Sequence, residues 1–305
     1  MNTADLIPLD AAAPRQREPD KSIFMRGLQR FMRNRLALAA TLVVLMFVAM
    51  ALFAPWLAPH DPTDADLLRR LQPPVWLDGG SWAFPLGCDG LGRDIFSRII
   101  YGARVSIFIG TAVIVLATVA GTIAGLAAGY LRGWVDTVIS RVADILLGFP
   151  YLIFAIGLMA TTGPGLHNII LALAYKEWVV PCRLVRAEAL AAREIEYVEA
   201  ARAVGASQLH IMLREILPNI LSPVMVISTI RMASVIIMEA SLSFLGLGVQ
   251  PPTASWGSMV AAGREFMLDA WWVSTFPGLA ILLIVLAINL ASQGLRDAFD
   301  PRFHE

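Results

Sequence analysis

Charge is spread unevenly along this chain. Uncharged stretches run from Leu36 to Pro59, Val105 to Leu131, Ile145 to Tyr175, Ala240 to Gly263 and Ala270 to Leu295. A helix needs about 20 apolar residues to cross roughly 30 Å of hydrocarbon, so several of these are long enough. Helices and closed barrels are the forms that satisfy their own backbone there. Thr161-Thr162-Gly163-Pro164-Gly165 is a turn signal that splits the third stretch. The pattern predicts an all-α integral membrane protein with six transmembrane helices, near residues 36–55, 104–130, 136–160, 166–184, 222–247 and 273–295.

Composition agrees with that pattern. The 305 residues are 57% hydrophobic and 16% charged, against about 45–50% and about 25% for a soluble domain. Lys plus Arg and Asp plus Glu balance at 24 each, which removes any case for nucleic acid as a partner on overall charge. Cys88 and Cys182 are too few for a disulfide framework or a thiolate metal cluster. Counting Lys and Arg by alternate loops gives 16 on the side of both termini, from seven before residue 36, two at 131–141, five at 183–214 and two after residue 295. The opposite side carries six, from five at 56–104 and one at 248–271. The positive-inside rule therefore predicts both termini in the cytoplasm. The first apolar run follows some 35 residues of mixed charge, which does not fit the short basic start of a cleaved signal peptide. Residues 1–22 read as a disordered tail.

The chemistry of common enzymes is missing. A P-loop needs Gly-Lys-Ser/Thr, and the two lysines follow Asp20 and Tyr175. His60, His167, His210 and His304 form no His-Glu-x-x-His, and no Gly-x-Ser-x-Gly elbow occurs. The expectation is a chain that is no enzyme and holds no metal or cofactor.

The segment between the fourth and fifth predicted spans is too polar for lipid and too helix-prone for a plain loop. Glu194 to Val204 is a run of strong helix formers. Gly205 stands where a left-handed C-terminal residue belongs, Ser207 can cap a second helix, and Pro218 is expected to end it. Ile195, Val198, Ala201 and Val204 share one face, which has to pack either on this chain or on another subunit.

At these residues the chain resembles a known family. Glu199-Ala200-Ala201, then Gly205, then Leu217-Pro218 is similar to the EAA loop of permease subunits of bacterial ABC importers. Glu215 departs from that pattern, which places Ile two before the Leu. Pro85-Leu86-Gly87-Cys88-Asp89-Gly90-Leu91-Gly92-Arg93-Asp94 resembles the C-type permeases of dipeptide, oligopeptide and nickel importers, with Cys88 where threonine is usual. So do Leu242-Ser243-Phe244-Leu245-Gly246-Leu247-Gly248, Trp256-Gly257, and the ending from Phe276-Pro277-Gly278 through Asp300-Pro301. The resemblance covers about residues 22–302.

It implies a type I ABC importer permease fold in the bacterial inner membrane, multi-pass, forming half of a translocation pathway for dipeptides or oligopeptides. The implied organisation is a cytoplasmic tail at 1–35, a first transmembrane helix at 36–58, a periplasmic segment at 59–103, a permease domain at 104–296 and a cytoplasmic C-terminus at 297–305. Its coupling loop, about 186–220, carries Glu199, Ala200, Ala201, Gly205, Leu217 and Pro218 into the ATPase subunits. The implied partners are a second homologous permease, two ATP-binding subunits that hold ATP and Mg, a periplasmic substrate-binding protein and the lipid bilayer. The same family also carries nickel, glutathione or another small solute. An ion-coupled secondary transporter is a rival, but it calls for matched broken helices that the sequence does not repeat.

Three further features are read from the residues. Gly121, Gly125 and Gly129 make a small-residue ladder that should pack closely on another helix, in this chain or in the partner permease. Arg141 and Asp144, one turn apart, are expected to pair. Arg231 and Glu239 lie within the fifth span about 80° apart around the helix, and are expected on the translocation path or in a structural ion pair. The segment at 56–103 reads as a small exposed elaboration with Gly87, Gly90 and Gly92 in turns; a membrane-impermeant thiol reagent is expected to label Cys88 from the periplasmic side if that residue is solvent-accessible, and not Cys182.

Overall fold

Asn34 opens the first long helix by accepting a hydrogen bond from Ala37 N through its side chain. The computed structural model describes residues 29–299; the expected tail at 1–22 and the end of the chain from residue 300 lie outside the described residues. Ten helices of eight residues or more organise the described residues: α1 (Arg35–Leu52), α2 (Ile95–Leu131), α3 (Gly133–Gly148), α4 (Tyr151–Thr162), α5 (Leu166–Glu177), α6 (Val179–Ala192), α7 (Glu196–Ala203), α8 (Leu217–Phe244), α9 (Trp256–Gly263) and α10 (Trp272–Phe299). Among the described residues the only strand-like pairings are two isolated bridges, Ser81 with Phe84 and Cys88 with Asp94. The fold is all-helical.

Four continuous helices are long and apolar enough to cross a bilayer: Arg35–Leu52, Ile95–Leu131, Gln208–Phe244 and Trp272–Ala298. A fifth crossing is available if α3 and α4 count as one span, although they meet at a bend of 94°. The single helix expected over 136–160 is thus broken. Pro150 is the cause: it has no N–H to donate, and it drives the residue before it out of the helical region, as Phe149 shows with φ −91 and ψ 133. The helix expected over 166–184 also comes in two parts, α5 and α6, joined at Trp178, which is itself helical at φ −62, ψ −20. Together these two helices carry five charged residues, Lys176, Glu177, Arg183, Arg186 and Glu188.

The expected stop at Pro218 does not occur. A π-helical stretch at Ile211–Ile216 widens the hydrogen-bond register just before the proline, and the helix continues to Phe244 with Pro218 in its first turn. Asn219 Nδ2 donates to the Glu215 carbonyl at 2.6 Å. One rod of 37 residues therefore runs from Gln208 to Phe244.

The glycine ladder decides how α2 packs. A methyl group added at Gly121, Gly125 or Gly129 would lie under 3.0 Å from the backbone of α6 or the residue just before it, at Trp178, Cys182 and Arg186. The neighbour that the sequence left open is the chain's own α6. At the other end of α2, Phe47, Ile95, Ile99, Ile236, Trp256, Trp272 and Ile284 form one apolar cluster, pinned where Trp256 Nε1 donates to the Ile99 carbonyl at 2.9 Å.

The segment before α2 is less exposed than its polar composition predicts. Cys88, Asp89, Asp94 and Arg98 are all buried. Asp94 caps α2 by accepting from Phe96 N and Ser97 N, while its Oδ2 also meets the Ser97 hydroxyl at 2.6 Å and His60 Nδ1 at 3.3 Å. Arg98 Nη1 donates to the Pro62 carbonyl at 2.8 Å, and the Asp89 carboxylate takes Arg93 at 2.8 Å. Buried charges need such partners, and their pairing draws residues 60–98 into a fixed cap on α2. Gly87 and Gly92 take positive φ, +79 and +74, as turn glycines should. Burial leaves Cys88 at 0% exposure and pushes its thiol up to about 12, with the nearby Asp94 charge adding to the shift.

Candidate functional site

Two features of this fold can do work: a bent helix pair at residues 196–218 and a charge pair between α5 and α8. The bend is built as a Schellman motif. Gly205 N donates to the Arg202 carbonyl and Ala206 N to the Ala201 carbonyl, each at 3.0 Å. That pattern requires a left-handed residue, and Gly205 supplies φ +83. Ala201 and Ala206 both pack on the same apolar cluster, the contact that usually accompanies the motif. Ser207 then caps the long rod by accepting from His210 N at 3.3 Å.

The expected apolar stripe on α7 divides. Val198 is fully buried and Ala201 half-buried, against Val185, Ala189, Ile211 and Ile216. Ile195 and Val204 stay exposed, as do Tyr197, Leu209 and Leu213, so several large apolar side chains of the bend are uncovered among its exposed polar residues. Glu199, Ala200, Gly205 and Pro218 are exposed on this elbow, while Ala201 and Leu217 are half-buried beneath it. Arg193 Nη1 donates to the Tyr130 carbonyl at 2.8 Å, tying the elbow's base to the end of α2.

Arg231 does not meet Glu239. Its Nε and Nη2 donate to both oxygens of Glu177, the second at 3.1 Å. The Arg231 side chain is 30% exposed and that of Glu177 is 3% exposed. Glu239 is fully buried and accepts from Ser106 Oγ at 3.0 Å and Ser243 Oγ at 2.8 Å, which makes it a clasp between α2 and α8. Helical spacing set Arg231 and Glu239 on neighbouring sides of one helix, but it carries no information about which other helix each side meets. Glu177 had a signal in the sequence, since Lys176-Glu177 interrupts an apolar run. Lys176 is committed elsewhere: its Nζ donates to the Phe149 carbonyl and sits 5.4 Å from the Tyr151 ring centre. Asp144 likewise takes Arg183 at 2.6 Å in place of the expected Arg141, because α3 lies beside α6, where Asp136 also pairs with Arg186.

Among the described residues no three His, Cys, Asp or Glu side chains converge as metal ligands would. The chain matches the family model of the binding-protein-dependent transport system inner membrane component over residues 117–305, and that of the N-terminal transmembrane domain of oligopeptide transport permease C over residues 22–74. It is 45% identical over 274 residues to the di/tripeptide transport system permease protein DppC of Pseudomonas aeruginosa (strain UCBPP-PA14), covering 90% of each chain. It is 44% identical over 275 residues to the dipeptide transport system permease protein DppC of Escherichia coli (strain K12), covering 90% of this chain and 92% of that one. Among solved structures, the inward-facing MetNI methionine ABC transporter aligns with TM-score 0.51 at 18% identity, covering 66% of this chain and 96% of that chain. An amino acid ABC transporter with histidines aligns with TM-score 0.51 at 14% identity, covering 65% and 92%. At those identities the two structures speak for the fold alone.

Proposed function

This chain belongs to the family of inner membrane components of binding-protein-dependent transport systems, in its C-type peptide-permease branch, and on that premise we propose that it forms half of the translocation pathway of an ATP-driven importer of dipeptides or oligopeptides. It is a membrane permease subunit without an ATPase site of its own. A second homologous permease completes the pathway, a substrate-binding protein delivers the peptide on the periplasmic side, and two separate ATP-binding subunits hold ATP and Mg. In this reading α1, α2, the bent α3–α4 pair, the α5–α6 pair, the 208–244 rod and α10 are the six crossings, with both termini cytoplasmic.

The observation that carries the coupling role is the set of uncovered apolar side chains at the elbow. Val204, which caps the short helix α7, is 85% exposed, and Leu209, in the first turn of the 208–244 rod, is 61% exposed, with Gly205 at positive φ in the bend between them. Exposed apolar groups in that rigid arrangement suit a docking helix better than a solvated loop. Glu199, Ala200, Ala201, Gly205, Leu217 and Pro218 then serve one purpose, which is to present that surface and join it to the long rod. ATP-driven closure of the ATPase pair displaces the elbow, and the 208–244 helix carries the displacement into the membrane. The close backbone contact of α2 with α6 at Gly121, Gly125 and Gly129 supplies the stiff wall against which the rod moves. Arg231 is proposed on the pathway; Glu239, fully buried, is proposed to hold α2 and α8 together.

The test is reconstitution of both permeases and the ATPases in proteoliposomes with the binding protein, followed by ATP-dependent uptake of labelled dialanine and trialanine. Uptake that depends on this chain and is lost, with ATP hydrolysis retained, in Gly205→Asp supports the assignment. ATP-independent uptake driven by an imposed ion gradient would establish the secondary-transporter reading instead.

A further inference from the structure

The Arg231–Glu177 pair raises a question that the coupling role does not answer. A charge within a membrane-spanning helix faces protein or water and not lipid, yet the Arg231 side chain is 30% exposed on the surface of this subunit. Its open side must therefore face the partner subunit or an aqueous path. A guanidinium carries five N–H donors in a rigid fork. Glu177 occupies Nε and Nη2, and among the described residues nothing engages Nη1. Glu177 is held almost out of contact with solvent on the opposite side, so the pair presents its cation outward and its anion inward.

The surroundings extend this polarity. Ser234, Met238 and Ser241 follow Arg231 at three, seven and ten positions, within about 80° of helix surface, and all are half-buried. Ser228, one turn before Arg231, meets Thr118 at 2.8 Å. Arg231 rides on the rod that begins at the elbow, whereas Glu177 ends α5 beside the Trp178 joint. Movement of the rod relative to that joint loosens one partner from the other.

Resting on the peptide-importer reading above, we infer that Arg231 is the group with which this subunit recognises the free carboxylate of a passing peptide, and that Glu177 is the resident counter-ion it leaves to do so. The fork is matched to a carboxylate, which it can take in two parallel hydrogen bonds. Glu177 keeps the guanidinium paired when no substrate is present, avoiding an unpaired charge in the membrane. Because the exchange replaces one carboxylate by another, the path never presents a bare cation strong enough to trap the peptide.

The experiment compares uptake of dialanine with that of dialanine amide by the complete reconstituted complex, in wild type and in Arg231→Gln, Arg231→Lys and Glu177→Gln. The same binding protein serves every arm, so its own preference cancels in the comparison of ratios. The acid-over-amide ratio should fall about ten-fold in Arg231→Gln, equivalent to about 1.4 kcal/mol, and also fall in Arg231→Lys, which keeps the charge but loses the fork. Glu177→Gln should retain the preference for the acid. Should Arg231→Gln fail to assemble, Arg231→Lys decides the matter. An unchanged ratio in assembled Arg231 variants overturns the inference, and so does loss of assembly in all three, which would mark a purely structural pair or one covered by the partner permease. If wild type transports neither peptide, the peptide reading falls first and this inference with it.

Discussion

Gly205 offers a test in which conformation and size predict opposite orders. An added Cβ at this position meets nothing within 4 Å, so the subunit has room for a side chain there. What it lacks is a backbone that an L-residue likes, since φ is +83. Holding an ordinary residue in the left-handed region costs about 1–2 kcal/mol, which shifts the bent-to-open population by roughly five- to thirty-fold. Asn tolerates that region better than Ala, and β-branched Val tolerates it worst. If the bend is what Gly205 provides, coupled uptake per ATP hydrolysed should decline in the order Gly, Asn, Ala, Val. If instead the residue is small because an ATPase groove closes over it, Ala should be better tolerated than the larger Asn. Uptake and hydrolysis measured together in proteoliposomes separate the two, with co-purification of the ATPase subunits as the control for assembly. An order of Gly, Ala, Asn, or a Val variant coupled like wild type, would refute the conformational argument.

Other perturbations follow from packing. Gly125→Ala drives a methyl group into the Cys182 carbonyl and should cost about 1–3 kcal/mol by overpacking, lowering the yield and melting temperature of the detergent-extracted subunit; Gly157→Ala, with open space around it, should leave both unchanged. Glu239→Leu strips the acceptor from two buried hydroxyls, at about 1–3 kcal/mol for each group left unpaired, while Glu239→Gln keeps an acceptor for at least one, so the Gln variant should melt higher than the Leu variant. Cys88 should resist a membrane-impermeant maleimide at neutral pH from either side of the membrane, because it is fully buried and its thiol is pushed up to about 12; rapid labelling of the native complex would show that the 60–98 cap opens.

The apolar pattern alone foretold helices and their rough places, because burial in lipid demands long uncharged runs whatever the tertiary contacts. Gly205 was also legible, since a glycine after a run of helix formers and before a Ser cap has few other conformations to adopt. Pro150 and Pro218 were not, and for opposite reasons. Each lacks a backbone donor, but at Pro150 nothing absorbs the loss and the chain turns by 94°, whereas at Pro218 the π-helical stretch before it takes up the change of register. Local sequence does not distinguish those outcomes. The partners of Arg231 and Asp144 were hidden for a different reason: periodicity places a charge on a face of its own helix, and the identity of the facing helix is a property of the assembled fold.

That assembled fold gives the 208–244 rod a particular consequence. Under the proposed coupling, force enters at the elbow and must reach Arg231, 23 residues along an unbroken helix from Gln208. At 1.5 Å per residue the lever is about 35 Å long. A tilt of roughly 5° about the elbow end would displace Arg231 by about 3 Å over that length, as far as the Nη2 to Glu177 hydrogen bond is long, at 3.1 Å. Had Pro218 ended the helix as its chemistry suggests, the elbow and the charge pair would sit on separate elements, and a motion of that size would dissipate in the joint. The π-helical stretch is therefore more than a local accommodation of proline. Under the proposed coupling, it is what would make a small rotation at the elbow large enough to make or break the Arg231–Glu177 pair.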